Sequence, residues 1–246
     1  MYHFFVDKDN IEGNEIVIEG NDVNHIKNVL RLDVGCKIII GDKLGKDYNC
    51  LIDSLTYDSI RCKILTVGNS KAELPIYITL VQGAPKLDKM ELIVQKAVEL
   101  GVFNIKPVIM KRSIVKYDVK KAAKKLSRWQ SIAESAAKQS KRGIIPIIDE
   151  IVLFKDVVLE LSTYDKVIIP YENESGMKAT REVFKSLTHG QKVAIVIGPE
   201  GGFTTEEIDA LLKIGGVTIS LGNRILRTET AGLASLAMIS YQIEEV

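Results

Sequence analysis

Two rhythms of apolar and polar residues divide the chain. Between Cys36 and Val67 the apolar positions alternate or cluster in short runs, at residues 37–40, 49–52 and 59–65, as strands with one buried face require. Turn signals at Gly41-Asp42, Gly45-Lys46-Asp47 and Tyr57-Asp58-Ser59 separate the runs and predict a small antiparallel barrel. A short helix is expected before it, over residues 22–32, and the polar stretch 68–73 is the expected linker.

After Pro75 the rhythm becomes strand, helix, strand, helix. Strands are predicted at 76–81, 105–110, 166–170, 192–197 and 217–221, and their continuous Ile and Val content suits a parallel sheet covered on both faces. Leu87, Met90, Val94, Ala97 and Leu100 recur at three- and four-residue steps and give one helix an apolar face, with Lys89 and Lys96 on its polar side. A longer helix is predicted over 119–142, stopped by Gly143 as its C′ residue. Further helices are expected at 177–187, 205–214 and 230–243. The fold class is therefore α/β with a smaller β domain ahead of it, divided at 1–72 and 73–246.

Composition narrows the picture. The 246 residues are 46% hydrophobic, and no apolar run approaches the roughly 20 residues of a membrane span. The first residues turn acidic before a signal sequence can develop, so a cytoplasmic protein without membrane contact is expected. Cys36, Cys50 and Cys62 lie in strand-like surroundings without C-x-x-C spacing and read as buried thiols, and the scattered His3, His25 and His189 predict no metal site. The net charge of +1 hides a basic middle, where residues 73–150 carry 15 Lys and Arg against 8 Asp and Glu. Lys111, Arg112, Lys116, Lys120, Lys121, Lys124, Lys125, Arg128, Lys138, Lys141 and Arg142 form either a polyanion footprint or a solvated helix face.

The candidate chemistry sits in two glycine turns. Gly198-Pro199-Glu200-Gly201-Gly202-Phe203 follows a buried strand and precedes Thr204 to Glu207, a capping box that starts a helix. Such strand ends are where open α/β sheets bind ligands. The spacing is neither that of a dinucleotide fingerprint nor that of a phosphate-binding loop with its Lys, which weighs against an NAD-dependent oxidoreductase and against an ATPase. The second turn, Leu221-Gly222-Asn223-Arg224-Ile225-Leu226-Arg227-Thr228-Glu229-Thr230-Ala231, joins an apolar wall of Leu221, Ile225 and Leu226 to two guanidinium groups. Together the turns suggest one small-molecule pocket with an adenine-sized slot.

Both motifs resemble those of the ribosomal RNA small subunit methyltransferase E family, of the SPOUT class of S-adenosylmethionine-dependent RNA methyltransferases. Lys89-Met90-Glu91, Gln95 to Gly101, Arg128-Trp129 with Glu134, Gln139 to Arg142, and His25 with Val29-Leu30-Arg31 agree, so the resemblance spans nearly the whole chain. It implies an N-terminal PUA-like β-barrel and a C-terminal SPOUT domain with a deep trefoil knot, which the general rule against threaded chains would not have predicted. It also implies a homodimer that methylates N3 of a uridine in 16S ribosomal RNA of the small ribosomal subunit.

On that basis S-adenosyl-L-methionine is expected against Leu221, Gly222, Arg224, Ile225, Leu226 and Arg227, with Ile197, Gly198, Pro199, Glu200, Gly201 and Gly202 facing them. Pro170, Tyr171 and Glu172 close a third side, and Thr230 and Ala231 of the last helix complete the set. N3 of uracil carries a proton at neutral pH, so the site must stabilise an anion or accept the proton. Arg227 is the first candidate for stabilising charge, and Glu200 and Glu229 are the candidate acceptors. For Glu229, a favourable place in the first turn of a helix explains the residue equally well. The uridine must leave its stack to expose N3, and His25, Arg31, Lys89, Lys96, Lys111, Arg112, Gln139 and Arg142 are the expected RNA-binding residues. Packing or capping explains His25 better than catalysis, and a core position explains Trp129 better than base stacking. Two rival readings stay open: a related enzyme acting on a ribose 2′-hydroxyl or on transfer RNA, and a non-catalytic RNA-binding assembly protein.

Overall fold

The computed structural model describes residues 1–86, 88–115 and 119–244, with the side chains of Val119 and Lys120 also set aside. Leu87 of the expected apolar helix face, Lys116, and the side chain of Lys120 therefore lie outside the described residues. The chain forms two compact units, one of Met1–Glu73 with Ala137–Ile145, the other of Leu74–Ala136 with Pro146–Val246.

The first unit is built from β1 (His3–Phe5), β2 (Ile11–Glu12), β3 (Glu15–Glu19), β4 (Lys37–Gly41), β5 (Lys46–Leu55) and β6 (Ser59–Asn69), with α1 (Asn21–Asn24) between β3 and β4. Its strand order is β1-β4-β5-β6-β3-β2. All of these pairs are antiparallel, as expected, except that β1 joins β4 in parallel. Alternation buries one face: Ile16, Ile18, Ile38, Ile40, Ile52, Ile60 and Cys62 are sealed in a core, and the opposite faces are left to water.

The helix expected over 22–32 is shorter and irregular. After α1 the chain widens into one π-helical turn at His25–Val29, closed by the Leu30 N–H donating to the His25 carbonyl at 2.9 Å. It ends at Arg31, which adopts a left-handed φ of 53°.

In the second unit β7 (Tyr77–Gly83), β8 (Asn104–Ile109), β9 (Ile147–Ile148), β10 (Val152–Leu153), β11 (Lys166–Pro170), β12 (Lys192–Ile197) and β13 (Val217–Ile219) form a sheet in which every pairing is parallel. The order is β10-β8-β7-β12-β11-β13, with β9 beside β8. Around it run α2 (Lys89–Glu99), the first part of α3 (Val119–Ser140), α4 (Phe154–Leu161), α5 (Lys178–Lys185), α6 (Thr205–Lys213) and α7 (Thr228–Ile243). Val193 to Ile197 of β12 are all buried, which is why this strand reads as a continuous apolar run.

The long helix does not stop on Gly143. It ends at Ser140, and Lys141 takes the left-handed position at φ 59°. The Arg142 N–H reaches the Ala137 carbonyl at 3.0 Å and the Lys141 N–H reaches Lys138 at 3.3 Å, the paired bonds of a Schellman cap. Gly143 is required by packing instead, since a Cβ there would fall 2.4 Å from Cβ of Ser70.

Candidate active site

The carboxyl ends of β7, β11, β12 and β13 converge, and their connections build the site. After Ile197 the first glycine turn closes with the Gly202 N–H donating to the Pro199 carbonyl at 2.9 Å, and Gly202 sits at φ +68°. Thr204 then caps α6 in the expected capping box, its hydroxyl accepting from the Glu207 N–H while the Glu207 carboxylate accepts from the Thr204 N–H. The second turn leaves β13 through Ser220, whose backbone is pinned on both sides by the buried Thr180 hydroxyl. Gly222 follows at φ +101°, where a Cβ is disfavoured.

Between these turns lies a cavity of about 600 Å³, a size suited to a nucleoside-bearing ligand. Of the expected cofactor residues, Pro170, Tyr171, Glu172, Ile197, Gly198, Pro199, Glu200, Gly202, Leu221, Gly222, Arg224, Ile225, Leu226, Arg227 and Ala231 line it. Two do not. Gly201 is turned against Arg112, whose guanidinium donates to the Gly201 carbonyl at 2.9 Å, and Thr230 is exposed on α7. The lining also takes in Glu174, Ser175, Phe203, Ser220, Asn223 and Thr228, which were not assigned from the sequence. Asn223 and Thr228 stand inside the second motif, and Glu174 follows Glu172 by two, so proximity in the chain was the available signal.

The wall suits S-adenosylmethionine chemically. Leu221, Ile225, Leu226 and Ala231 offer an apolar surface for an adenine, and Glu172 and Glu174 offer carboxylates to hydroxyls or cationic groups. Among the described residues no group of His, Cys, Asp and Glu is placed to hold a metal ion.

Of the three catalytic candidates, Arg227 and Glu200 line the cavity and Glu229 lies outside its lining. Neither glutamate is free. The Lys89 ammonium stands between them, 3.2 Å from Glu200 Oε1 and 3.2 Å from Glu229 Oε2. Glu200 Oε1 also accepts the Lys86 N–H at 3.0 Å. Burial pushes the Glu200 carboxyl up, but hydrogen bonds from the Lys86 and Glu200 N–H groups and the Lys89 ammonium outweigh it and hold the group below the usual carboxylate range. A carboxylate so stabilised is a weak proton acceptor. Arg227 is exposed at the N-cap of α7, its guanidinium available to a substrate.

The expected RNA-binding residues divide between the units. His25, Arg31 and Gln139 are exposed in the first, and the His25 ring packs edge-on to Phe4 at 6.3 Å. Arg142 corrects the expectation: it is 1% exposed and forks onto the Glu73 carboxylate, Nη2 to Oε2 at 2.5 Å and Nε to Oε1 at 3.3 Å. It closes a buried ion pair and is not presented to phosphate. In the second unit Lys96 pairs with Glu99 at 2.8 Å and Lys111 with Glu206 at 3.6 Å, while Lys89 belongs to the cavity. Many cations of the basic stretch have acidic partners, since Lys125 meets Asp88, Arg128 grips Glu91 and Lys138 meets Asp22. Trp129 is 1% exposed and belongs to the core.

The second unit is thus a parallel sheet with a nucleoside-sized cavity between two glycine turns at its carboxyl edge, in a chain that also carries a separate β unit. Residues 72–240 match the family model of an RNA methyltransferase domain, and residues 18–65 match that of an RNA methyltransferase PUA domain. Ribosomal RNA small subunit methyltransferase E of Bacillus subtilis is 41% identical over 230 residues, covering 92% of this chain and 90% of that protein. The protein of the same name from Mesomycoplasma hyopneumoniae is 30% identical over 239 residues, covering 95% and 96%. The crystal structure of the Neisseria gonorrhoeae ribosomal RNA small subunit methyltransferase E bound to S-adenosyl methionine superposes with a TM-score of 0.83 at 33% identity, covering 98% of this chain and 97% of that one. The chain belongs to the ribosomal RNA small subunit methyltransferase E family.

Proposed function

We propose that this protein transfers the methyl group of S-adenosylmethionine to N3 of a uridine in 16S ribosomal RNA. The observation that carries the proposal is the single cavity bounded by both glycine turns, with Arg227 and Lys89 on its wall. Bound there, S-adenosylmethionine supplies an electrophilic methyl group. The residues of the chain deal with the acceptor. The uridine must be unstacked to expose N3, and the exposed Arg224 and Arg227 are placed to hold its phosphates or its developing negative charge. With Glu200 engaged by two N–H groups and an ammonium, stabilising the uracil anion suits this site better than storing its proton on that carboxylate.

The wider setting belongs to the same reading. The N-terminal unit, with a boundary near residues 72 and 73, serves as the RNA-binding PUA-like domain. The substrate is ribosomal RNA in the context of the small subunit, the enzyme works as a homodimer, and it acts in the cytoplasm; no helix among the described residues is long and apolar enough to cross a membrane. The segment that carries the second turn into α7 forms the trefoil knot. Gly232 lets α7 lie close on the sheet, where a Cβ would meet Leu80 of β7 at 3.3 Å and Ile197 of β12 at 3.5 Å.

The test is transfer of a labelled methyl group from S-adenosylmethionine to 16S RNA, naked and in small subunits. Incorporation into either, recovered as N3-methyluridine, supports the proposal. Tight cofactor binding with no transfer to either would favour a non-catalytic RNA-binding protein.

A further inference from the structure

Lys89 is the first residue of α2, a position where the helix dipole disfavours a cation. Helix stability therefore does not account for it. What holds it is a pair of carboxylates from the two turns, Glu200 after β12 and Glu229 at the start of α7, each 3.2 Å from Nζ. Lys89 lines the cavity and Glu229 does not, so the ammonium stands between that carboxylate and the ligand space. An ammonium has three N–H donors. The ion pairs to Glu200 and Glu229 hold the side chain in place at the cavity wall. Burial pulls the Lys89 pKa down, but the hydrogen bonds and charges of Glu200 and Glu229 outweigh it and raise it above the ordinary lysine value. The group is a permanent donor at neutral pH, and it cannot serve as the base.

Building on the uridine-N3 reading, we infer that Lys89, which lines the cavity, is a catalytic residue that donates an N–H to the uracil carbonyl beside N3. That carbonyl is neutral in the bound base. Once the N3 proton leaves to water or hydroxide, negative charge spreads from N3 onto the flanking oxygens, and the hydrogen bond from Lys89 strengthens as it does so. The N3 lone pair then forms the new N–C bond as the methyl group's bond to sulfur breaks, with sulfur keeping that electron pair. The anion and the sulfonium charge cancel. Lys89 with Glu200 and Glu229 carries a net negative charge, so Lys89 acts as a directed donor, and the positive groups elsewhere in the lining are Arg224 and Arg227, set against Glu172 and Glu174.

The test is single-turnover methyl transfer to 16S RNA from about pH 6.5 to about pH 9.5 with the product nucleoside identified, for wild type, Lys89→Gln and Lys89→Arg. Cofactor affinity by calorimetry and RNA affinity at several salt concentrations accompany it. Lys89→Gln is expected to slow transfer about 100-fold near pH 7. The gap closes as pH rises and the uracil loses its proton unaided, Lys89→Arg recovers most of it, and both affinities stay within about threefold of wild type. Lys89→Gln combined with Glu229→Gln removes one of the two carboxylate charges left behind and restores the net charge of the wild-type cluster, and the same pH-dependent gap is expected if the single variant loses stability. A gap constant across pH with weaker RNA binding and a shallower salt slope would make Lys89 a phosphate contact and overturn the inference. A constant gap with lost cofactor binding would make it a pocket support and overturn it as well. A wild-type product other than N3-methyluridine would sink the underlying reading itself, whatever Lys89→Gln does.

Discussion

The Thr228 hydroxyl donates to the Gly198 carbonyl at 2.6 Å and so ties the first turn of α7 to the first glycine turn. The same oxygen accepts from Nε2 of the fully buried Gln82 at 2.8 Å, which brings in the end of β7. One hydroxyl thus joins three segments beside the cavity. Thr228→Val keeps the shape and removes both bonds, leaving the half-buried Gly198 carbonyl without this donor and the buried Gln82 amide without this acceptor. It is expected to cost about 2 kcal/mol of stability. Cofactor affinity should fall with it, since Thr228 and Gly198 both line the cavity. Urea unfolding and calorimetry check the two effects.

Close approach sets the glycines apart. A Cβ at Gly83 would lie 2.6 Å from the Pro199 N and 2.9 Å from the Ile197 carbonyl oxygen, backbone atoms that cannot turn aside. At Gly201 it would meet the Arg112 side chain at 2.9 Å and its carbonyl at 3.3 Å. Gly83→Ala is therefore expected to weaken cofactor binding at least about tenfold by displacing the first turn. Gly201→Val should act first on Arg112, with the smaller loss of cofactor affinity. Calorimetric titration of both variants with S-adenosylmethionine gives the order.

Much of this was legible in the chain, for identifiable reasons. The strands at 166–170 and 192–197 match β11 and β12 to the residue, because a doubly covered parallel strand leaves an unbroken Ile and Val signal. The capping box fixed the start of α6. The eight-residue α4 was missed because Val157 and Leu161 alone mark its buried face. β3 was missed because its alternating burial is hidden in sequence by the continuous apolar run Ile16-Val17-Ile18. The long-range ion pairs were not legible at all: Arg128 and Glu91 stand 37 positions apart, and Arg142 and Glu73 stand 69 apart. For that reason the run of cations left a polyanion footprint and a solvated helix face equally open, although several of its members are paired within the protein.

Arg142 and Glu73 give a prediction that separates structure from RNA contact. Glu73 Oε1 also accepts the N–H groups of Gly143 at 2.9 Å and Ile144 at 3.1 Å. Glu73→Ala strands a buried guanidinium and two amides, and is expected to cost roughly 3 kcal/mol or more. Arg142→Met leaves the two amide bonds in place and should cost less. RNA affinity of the folded Arg142→Met protein should stay near wild type, as filter binding below the unfolding temperature would reveal.

The Lys89 and Glu200 pair has a defined pH window. The lowered Glu200 carboxyl contributes stability that is present above its ordinary value of 4.5 and is lost as pH falls through the lower folded-state value. The raised Lys89 ammonium contributes stability present below 10.5 and lost as pH climbs beyond it. The stability difference between wild type and Glu200→Gln is therefore expected to be flat through neutral pH and to shrink in acid and again in strong alkali. A series of melting temperatures across pH measures it, and a difference that varies between about pH 6 and about pH 9 would speak against the pairing.

Thiol reactivity follows from burial. Desolvation in the barrel core pushes Cys50 and Cys62 up to about 12, so neither supplies thiolate at mildly alkaline pH. Alkylation of the native protein should reach the half-buried Cys36 first, and mass analysis of the labelled peptides would display the order.

The central claim is the atom that receives the methyl group. Nucleoside analysis of 16S RNA after incubation with the protein and isotopically labelled S-adenosylmethionine reads it directly. One labelled product is expected, N3-methyluridine, with its yield reduced by Arg227→Ala far more than cofactor affinity is. A labelled ribose 2′-O-methyl nucleoside, or label confined to transfer RNA, would contradict it.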